Sequence, residues 1–476
     1  MRQLVMCALL ATRVMAQAAQ PAPAPSVTVG ASTRMRAESW NWYDAGSEGE
    51  YTFASALSRL FAAGTSKRLA WRAELNVPAF AGLPTDAVLP APRGQLGMGA
   101  AYVAGNNTRS SVAQVVLRQL WGEVRGSKGS LRFGRMEYSD GLERAPRSPV
   151  LTTLKATRIA QRVIGPFTYT QVQRSLDGAL ATARIGGSTF QAVVARPTSG
   201  VFTAVEAGHT LDVNLAYGAW GRGFGSGARE ADVRLFGIWY DDNRATIPTD
   251  NRPLATRTSA SREIAVQTAG GHLVASLPNG SVSYDLMLWA AAQRGTWSGL
   301  DHRGYGLATE AGVQWPRVRW SPWLRAGQWY GSGDGDATDN EHGTFFQLLP
   351  TPRPYARFPF YNSMNTHEWF GYLTLRPTRT HTARVSLHRV DLTNASDAWY
   401  IGGGAYDARN FGFNGRPSNN EHRLGQLLDA SVEWRPNTHL TVELFAARNW
   451  GNRVASRIYS ADGSGTLAYL EVSLTR

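Results

Sequence analysis

The chain has 476 residues, of which 43% are hydrophobic and only 18% charged, with 49 Gly, 16 Trp, 17 Tyr and 17 Phe. Soluble domains usually carry about 25% charged residues, and no run here approaches the ~18 apolar residues of a membrane-spanning helix, so a helical membrane protein is excluded. The net charge of +13 comes almost wholly from arginine, since Lys67, Lys128 and Lys155 are the only lysines.

In chain order the first element is a secretory leader. Arg2 supplies a positive start, residues 4–10 a short apolar run, and Val14-Met15-Ala16 a cleavage site before Gln17, so residues 1–16 are read as a signal peptide. Its removal takes Arg2 and Arg13 with it and lowers the charge from +13 to +11. Cys7 is the only cysteine and leaves with the leader. The exported chain then has no disulfide and no thiolate metal site. Residues 17–25 form a Pro/Ala-rich extended spacer, and residues 26–476 are read as one β domain.

Apolar and polar residues then alternate from end to end. Leu69, Trp71, Ala73, Leu75 and Val77 interleave with Arg72, Glu74 and Asn76; Leu211, Val213, Leu215 and Tyr217 interleave with Asp212, Asn214 and Ala216. Val282, Tyr284, Leu286 and Leu288 repeat the pattern, as do Leu470, Val472 and Leu474 near the end. Each stretch is a strand with one apolar and one polar face.

Short turns at 126–129, 186–188, 278–281, 315–317, 376–379 and 435–438 alternate with long loops near 78–111, 137–153, 241–262, 331–364 and 391–421. Asn279-Gly280 and Gly186-Gly187 suit tight hairpins, whose central residues need positive φ. The glycine-rich run 221–227 is read as a flexible turn. Two unlike ends are the pattern of a transmembrane antiparallel up-and-down β-barrel, with short periplasmic turns and longer outer loops. We count 16 to 20 strands, an even number because both chain ends fall on the short-turn side. Aromatic clusters at Trp40-Trp42-Tyr43, Trp239-Tyr240, Trp329-Tyr330 and Trp399-Tyr400 are expected to form interfacial girdles.

From about Gln114 the chain resembles the alginate export family of outer-membrane proteins. The match is carried by Tyr330-Gly331-Ser332-Gly333-Asp334-Gly335-Asp336-Ala337-Thr338-Asp339, then Gly343-Thr344-Phe345 and Leu349-Pro350-Thr351. Leu131-Arg132-Phe133-Gly134-Arg135, Asp177-Gly178 and Asp397-Ala398-Trp399-Tyr400 support it. The resemblance implies a monomeric 18-stranded barrel in the bacterial outer membrane, whose arginine-rich lumen conducts an anionic polysaccharide outward, fed by a periplasmic export scaffold. Two departures stand out. Ala179 and Leu180 follow Asp177-Gly178 where the family often carries arginine, and Arg476 stands where barrels usually end in Phe or Trp.

If the apolar phase faces lipid, the opposite phase faces the pore. It contains Arg34, Arg36 and Glu38, then Arg72 and Glu74, then Arg118, Arg132, Arg234, Arg325 and Arg384, with Glu433 and Glu443 near the end. Arg135 matches the family's arginine but conflicts with the phase of Arg132 unless a bulge intervenes. Guanidinium groups bind carboxylates in a two-pronged geometry, and conduction favours many dispersed contacts over one deep site. Asp334, Asp336 and Asp339 are a candidate Ca²⁺ site, against solvated turn residues as the plainer reading; no other cofactor is implied.

No G-x-S-x-G elbow, H-E-x-x-H or Walker loop occurs, so no enzyme is indicated. Nucleic acid is not an expected partner. The expected partners are outer-membrane lipid and an anionic polysaccharide or small anions. Two alternatives stay open: a general or anion-selective diffusion porin, and a secreted soluble carbohydrate-binding β-protein.

Overall fold

Lipid offers a strand no hydrogen-bond partners, so a chain of amphipathic strands can span a membrane only by closing its sheet on itself. The computed structural model describes residues 26–351, 358, 362–460 and 463–476. The expected signal peptide (1–16) and the expected spacer (17–25) lie outside the described residues.

Eighteen long strands form the wall: β1 Ser26–Asn41, β2 Glu50–Thr65, β3 Leu69–Ala81, β4 Val116–Arg125, β5 Gly129–Met136, β6 Leu176–Ile185, β7 Ser188–Pro197, β8 Val213–Ser226 and β9 Arg229–Asp242. The second half continues with β10 Ile264–Asn279, β11 Val282–Trp297, β12 Tyr305–Gln314, β13 Trp323–Gly331, β14 Thr366–Leu375, β15 His381–Leu392, β16 Arg423–Trp434, β17 Leu440–Gly451 and β18 Ser464–Thr475. Each pairs antiparallel with its chain neighbours, and β1 pairs with β18 from Ser32 opposite Thr475 to Asn41 opposite Thr466. That last pairing closes the barrel.

The connections fall into two classes, as the sequence implies. Eight short turns lie at one end, and nine longer loops lie at the other. At Gly186-Gly187 both residues take positive φ, 57° and 81°, the backbone of a two-residue hairpin. Two boundaries differ from expectation. The glycine-rich run is not a turn, because β8 stays paired with β9 as far as Ser226 opposite Arg229. The loop expected at 137–153 runs on to 175 before β6 begins.

The outer wall is apolar. Leu60, Phe133, Val194, Leu235, Leu387 and Leu444 are each more than half exposed, which suits lipid and no aqueous setting. This belt overturns the soluble carbohydrate-binding alternative. Among the described residues no helix is long and apolar enough to cross a membrane.

The girdles differ from the expected set. Trp239 and Tyr330 do face outward, but Trp40, Trp42, Tyr43, Tyr240, Trp329, Trp399 and Tyr400 are buried inside. Exposed Tyr305, Trp369 and Trp450 complete the loop-side girdle, while Trp71, Tyr284, Trp320 and Trp434 mark the other end. Val213, Leu215 and Tyr217 on β8 also face inward, at 0%, 1% and 3% exposure. Their apolar phase is the inner one because loops fill the loop-side half of the barrel, turning that part of the lumen into a packed core.

Candidate channel lumen

With a period of two, β1 turns Arg34, Arg36 and Glu38 to the interior and Met35 to lipid. Arg36 lies between the rings of Tyr169 and Tyr469, at 4.3 and 4.9 Å, and pairs with Glu471 at 2.7 Å and Glu38 at 3.4 Å. Arg34 donates to Gln171 and to the carbonyls of Thr168 and Thr170. On β3, Arg72 binds Glu74 at 2.5 Å and covers the Phe61 ring. Arg118 on β4 reaches Ser175, the Arg174 carbonyl and Glu137. Arg132 binds Glu123 at 2.6 Å and lies over Trp121. Across the barrel Arg234 meets Asp140 at 3.2 Å, Arg325 meets Asp285 at 3.0 Å and Glu310 at 3.2 Å, and Arg384 donates to Ser386 over the Tyr372 ring. All eight point inward.

Arg135 does not. Leu131, Phe133 and Arg135 share one face, the first two being 50% and 56% exposed, while Arg132 and Met136 are buried on the other. The register from Arg132 to Arg135 against β4 is unbroken, so no bulge restores its phase. Its guanidinium instead pairs with outward-facing Asp177 at 2.7 Å through both oxygens. Arg135 belongs to the outer wall.

The loop 137–175 crosses the lumen. At one side Lys155 binds Asp232 at 2.8 Å, Arg144 binds Asp232 and Glu230, and Arg158 binds Glu310 at 2.9 Å. At the opposite side Gln171 donates to Ser55 and Gln173 accepts from Arg59. Arg174 is clasped by carbonyls of Pro350, Gly403 and Ala405, joining three loops. Arg59, Lys155, Arg158, Arg162 and Arg174 were not among the expected site residues. One signal existed: residues 145–176 contain no acid but carry Arg147, Lys155, Arg158, Arg162 and Arg174. Such a segment needs either water or an acidic surface.

The wall supplies that surface unevenly. On β1–β5 the interior shows Arg34, Arg36, Arg59, Arg72, Arg118, Arg125 and Arg132 against Glu38, Glu74 and Glu123. On β9–β14 it shows Glu230, Asp232, Asp285, Glu310 and Glu368 against Arg234 and Arg325. The basic plug lies against the acidic side. Toward the short turns the basic side stays open: the side chains of Arg34, Arg72 and Arg125 are 20%, 26% and 31% exposed.

Asp334, Asp336 and Asp339 do not converge. Asp334 accepts the Asp336 amide, Asp336 the Thr338 amide and hydroxyl, and Asp339 the Glu341 amide, as in Asx turns. Among the described residues no group of three or more His, Cys, Asp or Glu side chains is placed to hold a metal ion. Burial raises the Asp334 carboxyl to about 7, helped by nearby Asp397, which burial itself raises to about 6. Nearby, buried His302 and His342 face each other Nδ1 to Nδ1 at 2.9 Å, with His342 stacked on Trp297. Burial lowers His302 to about 4 and holds His342 well below its ordinary value.

The fold is shared by outer-membrane porins. The structure of Acinetobacter baumannii OccAB2 superposes with a TM-score of 0.59 at 10% identity, covering 94% of this chain and 98% of that one. Pseudomonas aeruginosa OccK2 (OpdF), solved with glucuronate, gives 0.57 at 10% identity with the same coverage. Pseudomonas aeruginosa OpdK, solved with vanillate, gives 0.55 at 10% identity, again over 94% and 98%. No curated protein matches the chain. The sequence pattern described as alginate export matches residues 26–459. A closed 18-stranded outer-membrane channel with this match belongs to the alginate export family.

Proposed function

We propose that this channel conducts uronate-bearing carbohydrate, exporting an alginate-like polyanion along the arginine side of its lumen. The observation that carries the reading is the division of the wall, with seven arginines facing three glutamates on β1–β5. A carboxylated chain moving there would exchange one guanidinium for the next, each contact being already shared with a glutamate or a carbonyl and therefore weak enough to release. The same field lowers the cost of bringing a polyanion into a low-dielectric wall. Signal cleavage at residue 16, a monomeric state and feeding by a periplasmic scaffold belong to this reading.

The packing of the loop-side half favours a second reading, a porin for small carboxylates. Trp289, Trp329, Phe345 and Phe346 are buried where a polymer would leave. Export of a polymer then requires loop 137–175 to move, whereas a small anion needs only a side path. Single-channel conductance of the refolded protein separates the two. Anion-selective steps blocked by oligouronates but not by neutral oligosaccharides, with block weakened in Arg34→Gln/Arg59→Gln/Arg72→Gln, support the exporter. Anion-selective steps without block support the porin. Unselective steps overturn both.

A further inference from the structure

Charge on the outer wall is uneven around the loop-side rim. At the loop ends of β5–β9 the outward cations are paired: Arg135 with Asp177 at 2.7 Å and Arg196 with Asp212 at 3.4 Å, with Asp241 beside them. At the loop ends of β15–β17 the strands themselves carry three outward arginines and one outward carboxylate, and Asp44 of the β1–β2 loop accepts the Ser464 amide beside Arg448. Arg389 is bound to Asp391 at 2.9 Å, Arg423 sits opposite Asp391 in the register, and Arg448 donates to the Ser464 hydroxyl at 3.4 Å, with the Trp450 ring 5.4 Å away.

One of these arginines, Arg389, belongs to an ordered row, with Arg423 and Arg448 near it on the neighbouring strands. Register places Trp369 beside Arg389, Arg389 beside Gln426, and Gln426 beside Trp450, one on each of β14 to β17. Neighbouring strands lie ~4.8 Å apart, so the row spans about 14 Å. Both tryptophans are exposed, at 52% and 42%. Next to the row lies a groove of about 690 Å³ in the lipid-facing wall, floored by Ala311, Ala326 and Gly371 and walled by Leu286 and Leu387.

We propose that this sector is a binding site for a phosphorylated lipid of the outer leaflet. Its acyl chains lie in the groove, and its phosphates meet Arg389, Arg423 and Arg448. Charge complementarity selects the occupant. An excess of guanidinium at the headgroup level, directly above an apolar groove, fits a molecule that is anionic at one end and apolar at the other. The flanking tryptophans sit at the depth where an indole ring meets both lipid and water. A neutral lipid would fill the groove and leave the excess positive charge uncompensated.

The test uses the full folded barrel in detergent micelles, titrated with a bisphosphorylated lipid, its dephosphorylated counterpart and inorganic phosphate, with native mass spectrometry as the readout. The bisphosphorylated lipid is expected to stay bound and the other two to be lost. Arg389→Gln/Arg423→Gln/Arg448→Gln should weaken it roughly fivefold for each arginine removed, while Arg135→Gln/Arg196→Gln should leave it unchanged. Heat-modifiable migration confirms that each variant is folded. Equal retention of the dephosphorylated lipid, equal binding by the triple variant, or binding of inorganic phosphate without preference for the lipid would each overturn the site.

Discussion

Lys155→Met tests whether the loop across the lumen is held by charge. Lys155 is 2% exposed, and its ammonium donates to Asp232 and to the Arg144 carbonyl, both at 2.8 Å. Breaking a buried pair outright costs about 3–5 kcal/mol, because the remaining charge is stranded. Here Asp232 keeps Arg144 at 2.5 Å and His272 at 3.0 Å, so it is not stranded. Methionine also replaces the aliphatic stem. The loss is then that of two charge-assisted hydrogen bonds, offset in part because the buried ammonium no longer has to be desolvated, about 2 kcal/mol net. At 1.4 kcal/mol per tenfold, the population in which residues 149–159 lift off the wall should rise about thirtyfold. Hydrogen exchange of that segment should accelerate by the same factor, with β18 unchanged, and single-channel records should show more frequent openings. Uniform acceleration around the wall would mean that the barrel itself was weakened. No acceleration would refute the idea that this ion pair holds the loop.

Arg135→Gln should leave ion selectivity unchanged, because its side chain sits on the outer wall, whereas Arg59→Gln should reduce anion selectivity; reversal potentials in a salt gradient decide. The His302–His342 contact should fail in acid. Burial holds His302 at about 4, below its ordinary 6.5, so the pair's contribution is complete above about 6.5 and is lost as pH falls through about 4. Protection of residues 298–304 and 341–346, corrected for intrinsic exchange, should therefore drop from pH 7 to pH 4, and His342→Phe should lessen that dependence by removing one of the two buried imidazoles. Gly134→Ala should lower thermal stability by about 2 kcal/mol, since φ is +115° and a Cβ would stand 2.3 Å from the Leu120 carbonyl. The temperature of the heat-modifiable shift measures it.

The barrel was legible because its signals are local. Alternation in residues 69–77 and 282–288 states which face of a strand is apolar, and Gly186-Gly187 and Asn279-Gly280 state where the chain reverses. The phase of Arg34, Arg36, Arg72, Arg118, Arg132, Arg234, Arg325 and Arg384 followed from the same rule, and the structure places all eight inside. Arg135 shows the rule overriding a motif. Three residues from Arg132 it falls on the opposite face, and the family's arginine is here an outer-wall side chain bound to Asp177.

What occupies the lumen was decided only by tertiary structure. Residues 154–175 have no alternation, so no local rule places them, and their basic side chains could equally have met solvent. They lie inside because Asp232 and Glu310, on strands 77 and 152 positions away from their partners Lys155 and Arg158, present an acidic wall of matching reach. That packing inverts the meaning of hydrophobicity nearby. Val213 and Leu215 read as lipid-facing in the sequence, yet they face inward because the loop supplies an apolar interior for them to meet. Sequence by itself determined the alternation, the strand ends and hence a closed wall, since backbone pairing in lipid leaves no other solution. Which face of β8 meets lipid, and which arginines the loop covers and which it leaves open to the lumen, depended on contacts between residues far apart in the chain, and those exist only once the barrel is closed.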